Sequence, residues 1–195
     1  MKSYDKTAVA LAGAVAVLAG VMAGTTVNAT TEKSDAAATA RIARGAYLVS
    51  TMGCHDCHTP WTMGPTGPGP DMTRALTGHP AGMQMGQPPA LSGGWGWTGA
   101  ATNTAFAGPW GVSFTANLTP DPETGLGRWT EEMFIATMKT GRHQGKGRPV
   151  LPPMPWPMLG NLTDEDIKSL FAYLQSLTPV RNRVPAPVDP PEETR

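Results

Sequence analysis

Both cysteines of this 195-residue chain fall in the stretch TMGCHDCHTP, residues 51–60, as Cys54 and Cys57, and His58 follows the second directly. Two thiols at this spacing beside an imidazole fit three kinds of chemistry. A thioredoxin-like redox pair needs C-x-x-C at a helix N-terminus after a strand, within a βαβ unit. Here the motif follows a helical pattern, and no strand pattern precedes it. A structural zinc site needs four ligands, usually from two pairs. The chain offers one pair and then the isolated His79 and His143. The third chemistry is c-type haem attachment, C-x-x-C-H. The two thiols add to the haem vinyl groups as thioethers, and the adjacent histidine is placed to ligate the iron. This use consumes both thiols, which suits an exported chain.

Composition bounds the rest. Fifteen basic and fifteen acidic residues balance, so no basic field points to a nucleic-acid partner. Two cysteines cannot form a multi-disulfide framework. The length is that of one domain with tails. Lys2 and Lys6 open the chain, and Ala8 to Gly24 is an uncharged run rich in Ala, Val, Leu and Gly. Val27-Asn28-Ala29 then has the small residues that signal peptidase accepts. Residues 1–29 therefore read as a signal peptide cleaved after Ala29 or as a retained membrane anchor. Residues 30–37 read as a polar tether.

Three helices must position the motif. ATARIARGAYLVSTMG, residues 38–53, places Ile42, Ala46 and Val49 at i, i+4 and i+7 and runs into Cys54. Gly45 in its middle costs about 1 kcal/mol against alanine, which calls for a packing reason. WTEEMFIATMKTGR, residues 129–142, has Thr130 as N-cap, Trp129 and Phe134 as a hydrophobic staple and Gly141 as its stop. NLTDEDIKSLFAYLQSLTP, residues 161–179, starts at Thr163 and repeats Ile167, Leu170, Phe171, Leu174 and Leu177 at helical spacing. Between the first two helices lie roughly seventy residues of Gly, Pro, Thr and Trp without periodicity, long enough to be functional or disordered. Trp61, Trp95, Trp97, Phe106 and Trp110 argue for order. The spacing predicts an ordered loop excursion, its tryptophans lining or shielding a cofactor edge or forming a docking patch. Residues 181–195 read as a Pro-rich, extended tail.

Three segments carry a family resemblance: RGAYLVSTMGCHDCH, then NLTPDPETGLGRWTEEMFIATMKTGRHQGKGRPVLPPMPWP, then NLTDEDIKSLFAYLQSLTPV. Together, over about Arg41 to Val180, they resemble the class I c-type cytochromes, the mono-haem electron-transfer cytochromes of the bacterial periplasm. The resemblance implies an all-α fold, a small cytochrome c domain over residues 38–180, with the long excursion between its first and second helices. It implies that the first and last helices cross near the cofactor, which would account for Gly45. It implies one covalent haem c on Cys54 and Cys57, with His58 as the proximal ligand and a methionine on the other side.

Eleven methionines compete for that place. Met154 and Met158 precede the last helix, where the family places its ligand. Met154, in PPMPWP, matches better, because flanking prolines stiffen a loop. Met158, His79 and His143 remain the alternatives. Arg142, Lys146 and Arg148 are candidates for the haem propionates.

The implied function is single-electron transfer rather than catalysis, since two filled axial positions leave no site for substrate. The implied partners are a periplasmic dehydrogenase or quinol-oxidising complex and a terminal acceptor. The chain would be a carrier or the cytochrome subunit of a larger oxidoreductase, soluble in the periplasm or tethered to the inner membrane. A haem enzyme or gas sensor with an openable distal site is the alternative.

Overall fold

The computed structural model describes residues 12–190. The chain divides between Ala40 and Arg41, and the unit from Arg41 onward contains the motif. Helix α1, Ala12–Thr51, spans the division, so the residues expected as a polar tether are helical, and 31–37 are exposed. Among the described residues no helix is long and apolar enough to cross a membrane. The N-terminal part of the expected signal or anchor, residues 1–11, lies outside them.

The short helix α2, Cys54–His58, follows α1 at once. Helix α3 covers Glu131–Thr140, α4 Trp156–Leu159 and α5 Asp164–Ser176. The caps are those that the sequence specifies. Thr130 accepts from the Met133 amide at 3.2 Å and Thr163 from the Asp166 amide at 3.1 Å, each satisfying an otherwise orphaned N–H. Gly141 ends α3 in a left-handed conformation.

Helix α5 buries Ile167, Leu170, Phe171 and Leu174, one stripe of a 3.6-residue period. They join Leu48 and Val49 of α1 and Phe134 and Met138 of α3 in one core. The Phe134 and Phe171 rings meet with centroids 5.3 Å apart. Helices α1 and α5 touch at Gly45, where a Cβ would collide with the Ser169 carbonyl oxygen and lie 2.7 Å from the Tyr173 Cβ. Arg44 Nε donates to Asp166 Oδ1 at 2.9 Å on the rim of the same contact.

The all-α expectation fails in the excursion, which builds two small antiparallel sheets. Strands β1, Trp61–Gly64, and β2, Gly67–Pro70, form a two-stranded ribbon. Strands β3, Thr98–Gly99, β4, Ala105–Gly108, and β5, Gly111–Phe114, form a sheet in that order, with Phe106 opposite Ser113. The physical reason is length. Alternation signals a strand over about four to eight residues, and these strands have two to four. β2 reads GPGP, tolerable because each strand of a two-stranded ribbon is an edge where a missing N–H costs no ladder bond.

The described part of the C-terminal segment, to residue 190, is docked on the domain. The Asn182 side chain donates to the carbonyls of Thr77 (2.7 Å) and His79 (2.8 Å) and accepts from the Ala81 amide (2.9 Å). Val188 and Val112 exchange backbone bonds of 2.8 and 2.9 Å. Beside it, Asp121 accepts from the Thr124 hydroxyl (2.6 Å) and from the Thr124 and Glu123 amides (2.7 and 3.1 Å). The Thr124 hydroxyl, first among these donors, holds the Asp121 carboxyl below the usual carboxylate range.

This packing can be tested at two residues. Phe171→Ala should cost about 3–5 kcal/mol in urea denaturation, because it empties the α1–α3–α5 contact; a loss below about 1 kcal/mol would place the ring outside the core. For Asp121 the folded pKa lies below the unfolded value of about 3.9, so its contribution is present above that pH and fades as the pH falls through the folded pKa. Asp121→Asn should be less stable than the wild type at pH 7, with the difference shrinking toward pH 3. Equal differences at both pH values would show that the carboxylate charge plays no part.

Candidate haem site

The turn out of α1 delivers α2 with its side chains against a cavity of about 440 Å³, a volume within the range of small-molecule and cofactor sites. Cys54, Cys57 and His58 all line it, and so does Met154 from the loop before α4. Its floor is apolar, with Val49, Leu126, Phe134, Met138, Leu170 and Leu174. The structure thus brings Cys54, Cys57, His58 and Met154 to one cavity.

Cys54 and Cys57 are not joined in a disulfide. Burial pushes the Cys54 thiol up to about 11 and raises that of Cys57 as well. A redox C-x-x-C works through a depressed thiol pKa, so the shift runs against a thioredoxin-like pair. Among the described residues no cluster of three or more His, Cys, Asp or Glu is arranged to hold a bare metal ion, which runs against the zinc reading.

His58 is buried, and its Nδ1 lies 2.8 Å from the Ala116 carbonyl oxygen. A carbonyl only accepts, so Nδ1 carries the proton and Nε2 presents its lone pair. Burial lowers the His58 pKa and keeps the ring neutral, against the smaller opposing effect of the Ala116 carbonyl.

The backbone around this bond is tightly tied. Gly78 N donates to His58 O at 2.8 Å, His79 N to Thr115 O at 3.0 Å and Leu118 N to Leu76 O at 2.9 Å. Gly78 has φ 76°, and a Cβ there would stand 2.5 Å from the Ala116 carbonyl carbon. No side chain fits between the 76–79 and 115–118 segments.

The alternatives for the second axial position separate. Met158 is 59% exposed and does not line the cavity. His79 is fully buried elsewhere, with Nδ1 3.0 Å from Thr104 Oγ1 and its ring against Phe114. His143 does line the cavity, packed edge-on to Trp129 at 4.9 Å. His55 is held by Thr59, Nδ1 to Oγ1 at 2.9 Å, off the cavity wall. Of the three basic candidates only Arg148 lines the cavity; Arg142 donates to the Gly147 carbonyl.

The tryptophans of the excursion do not line the cavity, and Trp95 is 75% exposed. Trp129 and Trp156 line it instead. Sequence reasoning missed the wall made by Phe106, Ser113, Ala116 and Pro187. Ala116 acts through its carbonyl, which no residue type announces. The aromatic Phe106 was the available signal.

A helical core around an apolar cavity that carries two thiols, a lone-pair imidazole and a thioether defines a haem-binding class of protein. The comparisons agree: residues 42–178 match the family Cytochrome c, and the chain belongs to that family. It is similar to the cytochrome c subunit of the quinone alcohol dehydrogenase of Gluconobacter oxydans, 30% identical over 76% of this chain and 24% of that protein. It is also similar to the fructose dehydrogenase cytochrome subunit of Gluconobacter japonicus, 30% identical over 88% of this chain and 27% of that protein. The gluconate 2-dehydrogenase cytochrome c subunit of Pantoea cypripedii is 28% identical over 75% of this chain and 25% of that protein. The chain thus spans about a quarter of the length of these curated relatives. Membership of the family supports haem c binding and a part in electron transfer.

Proposed function

We propose that this chain carries single electrons in the bacterial periplasm through one haem c. Cys54 and Cys57 would hold the haem through two thioether bonds, His58 and Met154 would supply the ligands to its iron, and residues 38–180 would form the domain. The observation that carries this reading is that all four donors line one apolar cavity, with the His58 ring already in the tautomer a ligand needs.

Bound haem supplies a one-electron couple at its iron. The protein's own residues do the rest. The thiols fix the group in place. The Ala116 carbonyl orients the His58 ring and strengthens its donor nitrogen. The Met154 sulfur would accept electron density and favour the reduced state over a second histidine. The apolar floor excludes water and disfavours extra charge. With Met154 as the second ligand no substrate site would remain, and the chain would act as a carrier rather than an enzyme.

The relatives named as dehydrogenase cytochrome subunits support a place in such an assembly. The donor would be a periplasmic dehydrogenase or a quinol-oxidising complex, and electrons would pass on to a terminal acceptor. Residues 1–29 would serve as export signal or tether to the inner membrane.

The test is ligand replacement. A thioether on ferric haem gives a weak charge-transfer band at the far-red edge of the visible spectrum. Met154→Ala should abolish it, lower the potential and admit carbon monoxide to the reduced protein, whereas Met158→Ala should leave the band. A wild type that binds carbon monoxide rapidly and lacks the band would instead favour the enzyme or sensor reading.

A further inference from the structure

The loop that carries Met154 is rich in proline, with Pro149, Pro152, Pro153, Pro155 and Pro157. Proline fixes φ but donates no hydrogen bond. The loop is therefore stiff yet poorly anchored by its own backbone. Val150 N reaches Gly141 O at 2.8 Å, and the Met154 and Trp156 amides bond only to Leu151 O (3.3 Å) and Met154 O (2.9 Å), within the loop itself.

An anchor comes from the inserted sheet. Ser113, in the centre of β5, is buried on the cavity wall, and its Oγ donates to the Pro152 carbonyl at 2.6 Å. A serine hydroxyl has one proton. The Phe106 carbonyl lies farther away, at 3.4 Å, so the short bond to Pro152 takes that proton. Strand β5 is itself fixed on two sides, by the pairing of Val112 with Ala107 of β4 and by its bridge to Val188 of the C-terminal segment. Ser113 thus ties a rigid strand to the residue two places before Met154.

We propose that Ser113 is a positioning residue for Met154: through the Pro152 carbonyl it holds the loop against the cavity and sets how firmly the thioether stays in place. This rests on the reading of Met154 as an axial ligand. The inserted sheet then has a redox role without touching the haem through this hydroxyl. Removing the hydroxyl leaves the Pro152 carbonyl without its donor and loosens the loop, while the helical core keeps its packing.

The experiment titrates the oxidised holoprotein with imidazole and follows loss of the thioether charge-transfer band, with urea unfolding by far-ultraviolet circular dichroism as the control. Ser113→Ala should keep the band but lose it at imidazole concentrations about two- to tenfold lower than the wild type, as the loss of one net hydrogen bond implies. Ser113→Thr should stay close to the wild type, and Ser113→Val, of the same shape without the hydroxyl, should follow alanine. The Thr/Val pair keeps the test decisive if the alanine variant matures poorly. A wild type without the band overturns the Met154 reading and this inference with it. A wild type with the band, and Ser113→Ala and Ser113→Val titrating as it does, overturns the inference alone. So does a change in urea midpoint with no change in imidazole affinity.

Discussion

The hydrogen bond from His58 Nδ1 to the Ala116 carbonyl is the constraint on which the rest of the site depends. It joins two parts of the chain 58 residues apart and decides which ring nitrogen is left with a lone pair. Ala116 must therefore be held to within a few tenths of an ångström. Gly78 permits this by letting the 76–79 backbone lie directly against the 115–118 backbone. The helical core performs the same service from the other side, because the α1–α5 crossing at Gly45 fixes where α1 ends and hence where Cys54 begins.

The sheet of the excursion and the C-terminal segment supply part of the cavity wall. Phe106, Ser113 and Pro187 lie on it, and Asn182 and Val188 pin the C-terminal segment down with bonds to backbone groups far away in sequence. On the proposed reading the distal ligand is then governed by residues outside the three-helix core.

The helices were legible because their signals are local: the caps at Thr130 and Thr163, the stop at Gly141 and the stripe from Ile167 to Leu174 each lie within a few turns. The four candidate donors were legible in motif and loop, and the structure gathers them around one cavity. The sheets were not legible, because strands as short as Thr98–Gly99 leave no alternation to read. Their order comes instead from pairing with segments such as the C-terminal one, which read as a tail. Ala116 and Ser113 escaped notice for a related reason. One acts through a carbonyl and the other through a bond to a carbonyl, and neither role leaves a trace in residue type. The tryptophans misled because aromatic content reports order and not address: Trp95 stands in solvent, while Trp129 and Trp156, in the helical region, line the cavity.

The central claim is that one haem is bonded to this chain through Cys54 and Cys57. Intact-mass measurement of the mature protein under denaturing conditions, followed by peptide mapping, tests it directly. The polypeptide should be heavier by the mass of one haem, with the added mass confined to the peptide that contains Cys54 to His58. An unmodified polypeptide mass, with haem released on denaturation, would contradict it.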